Sequence, residues 1–441
     1  MSRNARAIAR ICALTAGVWA VLVLGVCAVL VAAIPGPAGP ILALVAVLLG
    51  AIPPTVCLRL RPPLADTTPL AEDANRELVA VIRQVSAALG VREPVAVELS
   101  PDCDAWLEPR ARGPVLVIGA PFLWWLRVSE LRGLLAPVIA GIEAADDPLV
   151  RRARRLVRHL DQAERKGRGP WPARLVARLA TACRTRAELM ERAIGAEAAE
   201  RARVVEPTGR VYAHEQAGLV AVGWDRLLNR LALPAWRRGY APETLNSALA
   251  AALTELAGRD RVGLGLTDRL TERPSCDLLD DPGSVDRAAS ALALRVYLGD
   301  RHSRPLSWPR YVETVAEPAI RAEAADTPEH PLVAKACVLL DYTPGSIGGT
   351  GSNGGSGAGA GSSEVRNGTG DLAVGLRACV QCGLVDLGHA RWEIDWLDGV
   401  ILRDRAGLTV PVDELVHALL DNSDLAPLRE WLSYANGLSR S

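Results

Sequence analysis

The sequence predicts a mainly helical α+β protein with a transmembrane helical hairpin at its N-terminus. Three observations predict it. Residues 11–33 form one uncharged apolar run, most of the chain beyond residue 65 repeats its apolar residues at helical spacing, and β-type alternation is confined to a few short stretches. At 441 residues, with 49% hydrophobic and 23% charged, the chain suits a membrane part joined to a soluble part. Fifty basic and fifty acidic residues cancel, so net charge speaks for neither nucleic acid nor an acidic partner. Nine cysteines, an odd number without framework spacing, read as reduced thiols of a cytoplasmic compartment.

The run ICALTAGVWAVLVLGVCAVLVAA at 11–33 has the length of roughly 20 residues that a helix needs to cross the hydrocarbon core. IPGPAGP cannot continue that helix, and ILALVAVLLGAIPPTVCL at 41–58 supplies a second span, shorter and interrupted by proline. The first run is longer than the apolar core of a signal peptide, and a second span follows it, which argues against cleavage. Arg3, Arg6 and Arg10 precede the first span, Arg59 and Arg61 follow the second, and the loop between them is uncharged. Residues 1–61 are therefore expected to anchor the chain in the cell membrane, with the soluble part in the cytoplasm.

A body is expected over 65–343. In 69–90, Leu78, Val81, Ile82, Val85 and Leu89 share one helical face, and Gly90 ends the helix. Val95, Val97 and Leu99 alternate, and PVLVIGA at 114–120 is a second β-rich run, so two adjacent strands joined by a short turn-rich connection are expected. Ser129 then caps a helix to about Ala145, with Glu130 in its first turn. Further helices are expected at 172–203, 211–232 and 242–257, the last starting at Pro242. Residues 344–370 are rich in glycine and serine, with no apolar face to bury, and read as a flexible linker. Residues 371–441 are expected to form a separate small α+β module: a helix, a hairpin in GVILRDRAGLTVPV turning at Asp404 to Gly407, and a helix capped by Asp413.

The order of a membrane hairpin, an amphipathic helix, two strands ending in VIGAPFLWWL and an SEL-initiated helix resembles the HtpX-like family of membrane-anchored zinc metalloproteases, over roughly residues 10–260. The resemblance implies a helix continuing as LAHExxHxxxxD. LAPVIAGIEAAD fits that frame at Leu135, Ala136 and Asp146, but Pro137 and Gly141 stand where the two histidines belong, and Val138 where the catalytic glutamate belongs. Two imidazoles one turn apart bind the zinc, and the glutamate beside the first deprotonates the metal-bound water. Proline, glycine and valine do neither. The third ligand implied by the resemblance is a glutamate in a frame like RxxExxAD, and RAIGAEAA at 192–199 places Gly195 there and Ala199 at the aspartate. Either as a degenerate relative or as an ordinary buried helix, the 129–148 segment is expected to hold no zinc, and Pro137 to cost on the order of 3 kcal/mol within it.

Other constellations carry less. His214-Glu215 in YAHEQAG has Gly218 where a second histidine would be needed, and none of the six histidines has another four residues away. Cys379 and Cys382 form a lone CxxC, readable as half a zinc site, a redox pair or coincidence. Glu143, Asp146 and Asp147 read as solvated acids. Arg151, Arg152, Arg154, Arg155 and Arg158, close to the anchor, form a solvated helix face or a lipid-facing basic cluster, each arginine near an anionic leaflet contributing about 1 kcal/mol. No aromatic interleaving points to nucleic acid. The expected function is that of a membrane-anchored pseudo-metalloprotease that binds the bilayer and a protein partner or client without catalysis and without zinc. The alternatives are an active metalloendopeptidase with other ligands, and a structural membrane protein unrelated to proteases.

Overall fold

The computed structural model describes residues 65–166, 173–260, 271–344 and 368–438, apart from positions 74, 111, 328, 397 and 423, together with residues 28, 29 and 32. The hairpin expected over 1–61 lies outside the described residues save those three, as does 345–367 of the expected linker. Among the described residues no helix is long and apolar enough to cross a membrane. The chain is mainly helical with small sheets. It divides into two compact units, one of residues 1–220 and 263–292, the other of 221–262 and 293–441. The division expected at 344 is therefore not where the contacts thin.

In the first unit, β1 (Thr68–Pro69), β2 (Val97–Ser100), β3 (Ala105–Arg110) and β4 (Gly113–Gly119) form one sheet in the order β1-β2-β4-β3. Strands β2 and β4 are adjacent and parallel, Val97 opposite Leu116. Their connection is more than turns, because β3 lies within it and pairs antiparallel with β4. AWLEPR hides as a strand: it is an edge, only Glu108 is buried in it, and Pro109 interrupts the pattern. β4 has neighbours on both sides, and it is buried continuously from Pro114 to Gly119.

Helix α1 (Arg76–Leu89) buries Leu78, Val81, Ile82 and Val85, and ends at Gly90, whose φ of 63° lets its N–H and that of Val91 return to Ala87 and Ser86. It starts at Arg76 and not near 69 because Thr68–Pro69 are extended and pair with β2 at the sheet edge, where proline is tolerated. After the buried α2 (Ala120–Trp125), the helix expected over 129–145 is two: α3 (Val128–Ala140) and α4 (Ile142–Asp146), parted at Gly141. α3 runs on through Pro137 for one more turn before it breaks. Ser129 lies inside α3 and is not its cap. The Arg127 N–H is instead satisfied by the buried Glu130 carboxylate at 2.9 Å, while Ser129 donates to Glu272 at 2.7 Å. Then come α5 (Pro148–Lys166), α6 (Ala173–Arg201) and α7 (Pro207–Leu227). α3 packs against α1, β3 and α6.

The second unit holds α8 (Leu233–Arg237), β5 (Tyr240–Pro242), α9 (Leu245–Asp260), the end of α10 (Pro282–Leu298), β6 (Arg304–Leu306), α11 (Glu317–Ala325), α12 (Pro331–Leu339) and everything from Gly368 onward. Pro242 ends β5, parallel to β6, so α9 begins three residues later than expected. Beyond α13 (Gly368–Asp386), GVILRD forms β8 (Gly399–Asp404), whose full-length partner is ARWEID as β7 (Ala390–Asp395), with GLTVPV pairing only briefly. The turn at Asp404 to Gly407 exists, with Asp404 accepting from Gly407 and Leu408, and a short hairpin follows in which the Asp404 N–H donates to the Leu408 carbonyl, the Val410 N–H to the Leu402 carbonyl, and Arg403 bridges Thr409. Asp413 lies within the first turn of α14 (Val412–Asn422) and pairs with Arg377 at 2.7 Å. The final helix is α15 (Ala426–Leu438). Residues 371–441 have no core of their own: Leu376, Cys379 and Val380 of α13 share one cluster with Leu332, Ala336 and Leu340. The apolar face of α13 needs that cover, so the expected separate module is part of a larger packed body.

Candidate functional site

The segments that carry the protease-like frames meet in the first unit, where α3 lies against α6 and β3, and α4 lies against β3. Leu131, Leu135, Ala136 and Ile139 turn one side of α3 into the core. Pro137, Val138 and Gly141 lie on its half-buried side. On α6, Ile194 and Ala198 are buried, and Gly195 between them is exposed, with nothing within 4 Å of where a Cβ would stand.

The chemistry of this arrangement does not fit zinc. None of Pro137, Gly141 and Gly195 has a side-chain donor, whereas a catalytic zinc needs three protein ligands and an open position for water. The acids that follow α3 are engaged elsewhere: Glu143 with Arg201 at 2.5 Å, Asp146 with Arg92, and Asp147 with the Leu149 N–H at 2.8 Å. Arg201 also grips Glu197 at 2.9 Å, so the Gly195 neighbourhood of α6 is bound to α4 by an ion-pair network. Among the described residues no group of three or more His, Cys, Asp or Glu is placed to hold a metal ion. His214 is exposed on α7, its Nδ1 2.8 Å from the Arg210 carbonyl, and Glu215 is exposed beside it.

The basic run does not form one lipid-facing array. Arg154 makes a two-pronged contact with Glu191 of α6, both bonds 2.7 Å, and Arg158 reaches the buried Glu108 of β3 at 2.8 Å. Those two arginines fasten α5 to its neighbours. Arg151 is half-buried, which leaves Arg152 and Arg155 exposed on the outer side.

Comparison of the chain with family models, with curated proteins and with solved structures finds no match. Its chemistry has to be read from its own side chains. Burial first, then Asp102 and Asp104, push the Cys103 thiol up to about 12, away from the thiolate form. Cys379 and Cys382 are fully buried on α13 and face the core of the second unit. Cys337 of α12 lies in the same core cluster, although in the sequence it is one of several scattered thiols. Nothing in the sequence signals that shared cluster, because the two lie on different helices on either side of the glycine- and serine-rich segment.

Proposed function

We propose that this protein is a membrane-anchored, non-catalytic relative of the HtpX-like zinc metalloproteases, whose remaining work is to bind. The observation that carries the reading is that the two segments with protease-like frames lie on helices packed against each other, while every ligand position on them is without a donor. Loss at Pro137, Val138, Gly141 and Gly195 together is coherent: it removes the metal ligands and the general base at once, although the first of the two helices now ends at Gly141. In this reading the 11–33 and 41–58 runs hold the chain in the cell membrane, the folded units lie on the cytoplasmic side, and the occupant is a protein partner or client. Arg152 and Arg155 are the arginines left to meet an anionic leaflet.

The test pairs metal analysis of the detergent-purified chain with an unfolded-casein assay before and after chelation. The proposal expects no stoichiometric zinc and no chelator-sensitive cleavage. One zinc per chain with chelator-sensitive cleavage overturns it in favour of an active endopeptidase with other ligands. The quadruple change Pro137→His, Val138→Glu, Gly141→His and Gly195→Glu tests ancestry separately, through recovered zinc binding.

A further inference from the structure

We propose that one corner of the second unit, built from the ends of α8 and α10 and the starts of β5 and β6, docks on an anionic lipid leaflet. The proposal rests on the membrane-anchored reading and adds to it a surface and a lipid chemistry. Contacts between the four elements assemble the corner. Tyr240 of β5 stands opposite Arg304 of β6, the Arg304 N–H donates to the Gly239 carbonyl at 2.8 Å, and the Arg304 guanidinium lies 5.7 Å from the centre of the Tyr240 ring. Trp236 of α8 stacks on Tyr297 of α10, with ring centres 6.5 Å apart and 24° between the planes.

Unpaired positive charge surrounds these rings. Arg237 and Arg238 follow Trp236 directly, while Arg301 and His302 lie between Tyr297 and Arg304, each within about 10 Å of Arg304 along the chain. All five basic side chains are exposed. Among the described residues none of the four arginines forms an ion pair, whereas Arg154, Arg158 and Arg201 of the first unit are all held by acids. Segments 236–241 and 297–305 contain a single acid, Asp300, and Glu243 lies past the opposite end of β5. Val296 and Tyr297, 36% and 40% exposed, give the charged corner an apolar edge.

That composition suits the headgroup level of a bilayer, where guanidinium groups meet lipid phosphates and a tyrosine ring sits between water and hydrocarbon. Two observations favour a leaflet over nucleic acid. A base needs open ring faces, and here Arg304 covers the Tyr240 ring while Trp236 lies against Tyr297. The uncharged runs at 11–33 and 41–58, in the anchored reading, also keep the chain beside lipid, so that even a weak patch meets headgroups at high effective concentration.

The experiment reconstitutes the detergent-purified full chain into nanodiscs of phosphatidylcholine, alone or with about a third phosphatidylglycerol. Exposed arginines are then modified with phenylglyoxal and their rates read by peptide mass spectrometry. Each arginine near an anionic surface strengthens the contact about fivefold, so Arg237, Arg238, Arg301 and Arg304 should react about fivefold or more slowly in the anionic discs. Raised salt should restore their rates, and the exposed Arg429 of α15 should react equally in both discs. In Arg301→Gln/Arg304→Gln the contact should weaken about 25-fold, and Arg237 and Arg238 should lose their protection. Equal rates in the two discs, protection that extends to Arg429, or protection retained in the double variant overturns the proposal. Protection by an oligothymidylate in detergent but not by anionic discs overturns it in favour of nucleic acid. A chain that enters neither disc overturns the anchored reading itself, an outcome distinct from a chain that enters both and reacts alike.

Discussion

Replacing Gly133 with alanine adds one methyl group where the fold leaves no room. Gly133 lies in α3 against the start of α7, and a Cβ there would stand 2.6 Å from the Arg210 nitrogen, 2.8 Å from its Cα and 2.9 Å from the Gly209 carbonyl carbon. Gly209 makes the reciprocal approach, its Cβ falling 2.8 Å from the Ser129 carbonyl oxygen. All these atoms are main chain, so no side chain can swing aside and two helices must part. Overpacking of this kind costs about 1–3 kcal/mol, toward the upper end where only main chain can yield, and the better helix propensity of alanine returns about 0.5–1 kcal/mol, leaving a net loss of up to about 2.5 kcal/mol. Gly195→Ala is the control: it is exposed within α6, meets nothing within 4 Å, and should gain about 0.5–1 kcal/mol. Urea unfolding followed by far-UV circular dichroism measures both, and the two midpoints should move in opposite directions. A Gly133→Ala protein as stable as the wild type, or a Gly195→Ala protein less stable, would refute the close packing of α3 on α7 or the openness of the Gly195 position.

Arg321 is mostly buried and reaches Asp386 of α13 with two nitrogens, at 2.7 and 3.2 Å, and Glu317 at 2.9 Å. Arg321→Met should cost about 1–3 kcal/mol in urea unfolding by leaving two acids unpaired, and Arg321→Lys should recover only part of it, since an ammonium lacks the fork. Burial first, then Arg405, hold His389 below its ordinary 6.5. The folded state therefore keeps it neutral while the unfolded chain takes up a proton, so its contribution, present above 6.5, is lost as pH falls through the folded value. His389→Gln should flatten the acid side of the stability profile, read as urea midpoints from about pH 8 to about pH 5, and an unchanged slope would contradict that sign. Protein cut within 345–367 under reducing conditions should elute in gel filtration as one species, because α12 and α13 share a core. Separate elution of a 371–441 fragment would restore the boundary expected at 344.

Local pattern determined what was legible in the sequence. The apolar positions of α1 and its Gly90 end, the adjacency of β2 and β4, the long α6, the turn at Asp404 to Gly407 and the absence of donors at Pro137, Gly141 and Gly195 are properties of short segments, readable from periodicity and residue chemistry. Tertiary contacts decided the rest. Edge strand β3 was invisible because an edge needs no apolar alternation, and Ser129 gave up the cap because a buried Glu130 satisfies the Arg127 N–H. β8 pairs with β7 along six residues and with the expected GLTVPV only around Arg403 and Thr409, through the Asp404–Leu408 and Val410–Leu402 backbone bonds. The arginines of α5 were divided between ion pairs and solvent by the positions of Glu108 and Glu191, on elements far away in sequence. Cys337 and Cys379 entered one core cluster for the same reason: burial brings together side chains whose separation along the chain carries no local signature.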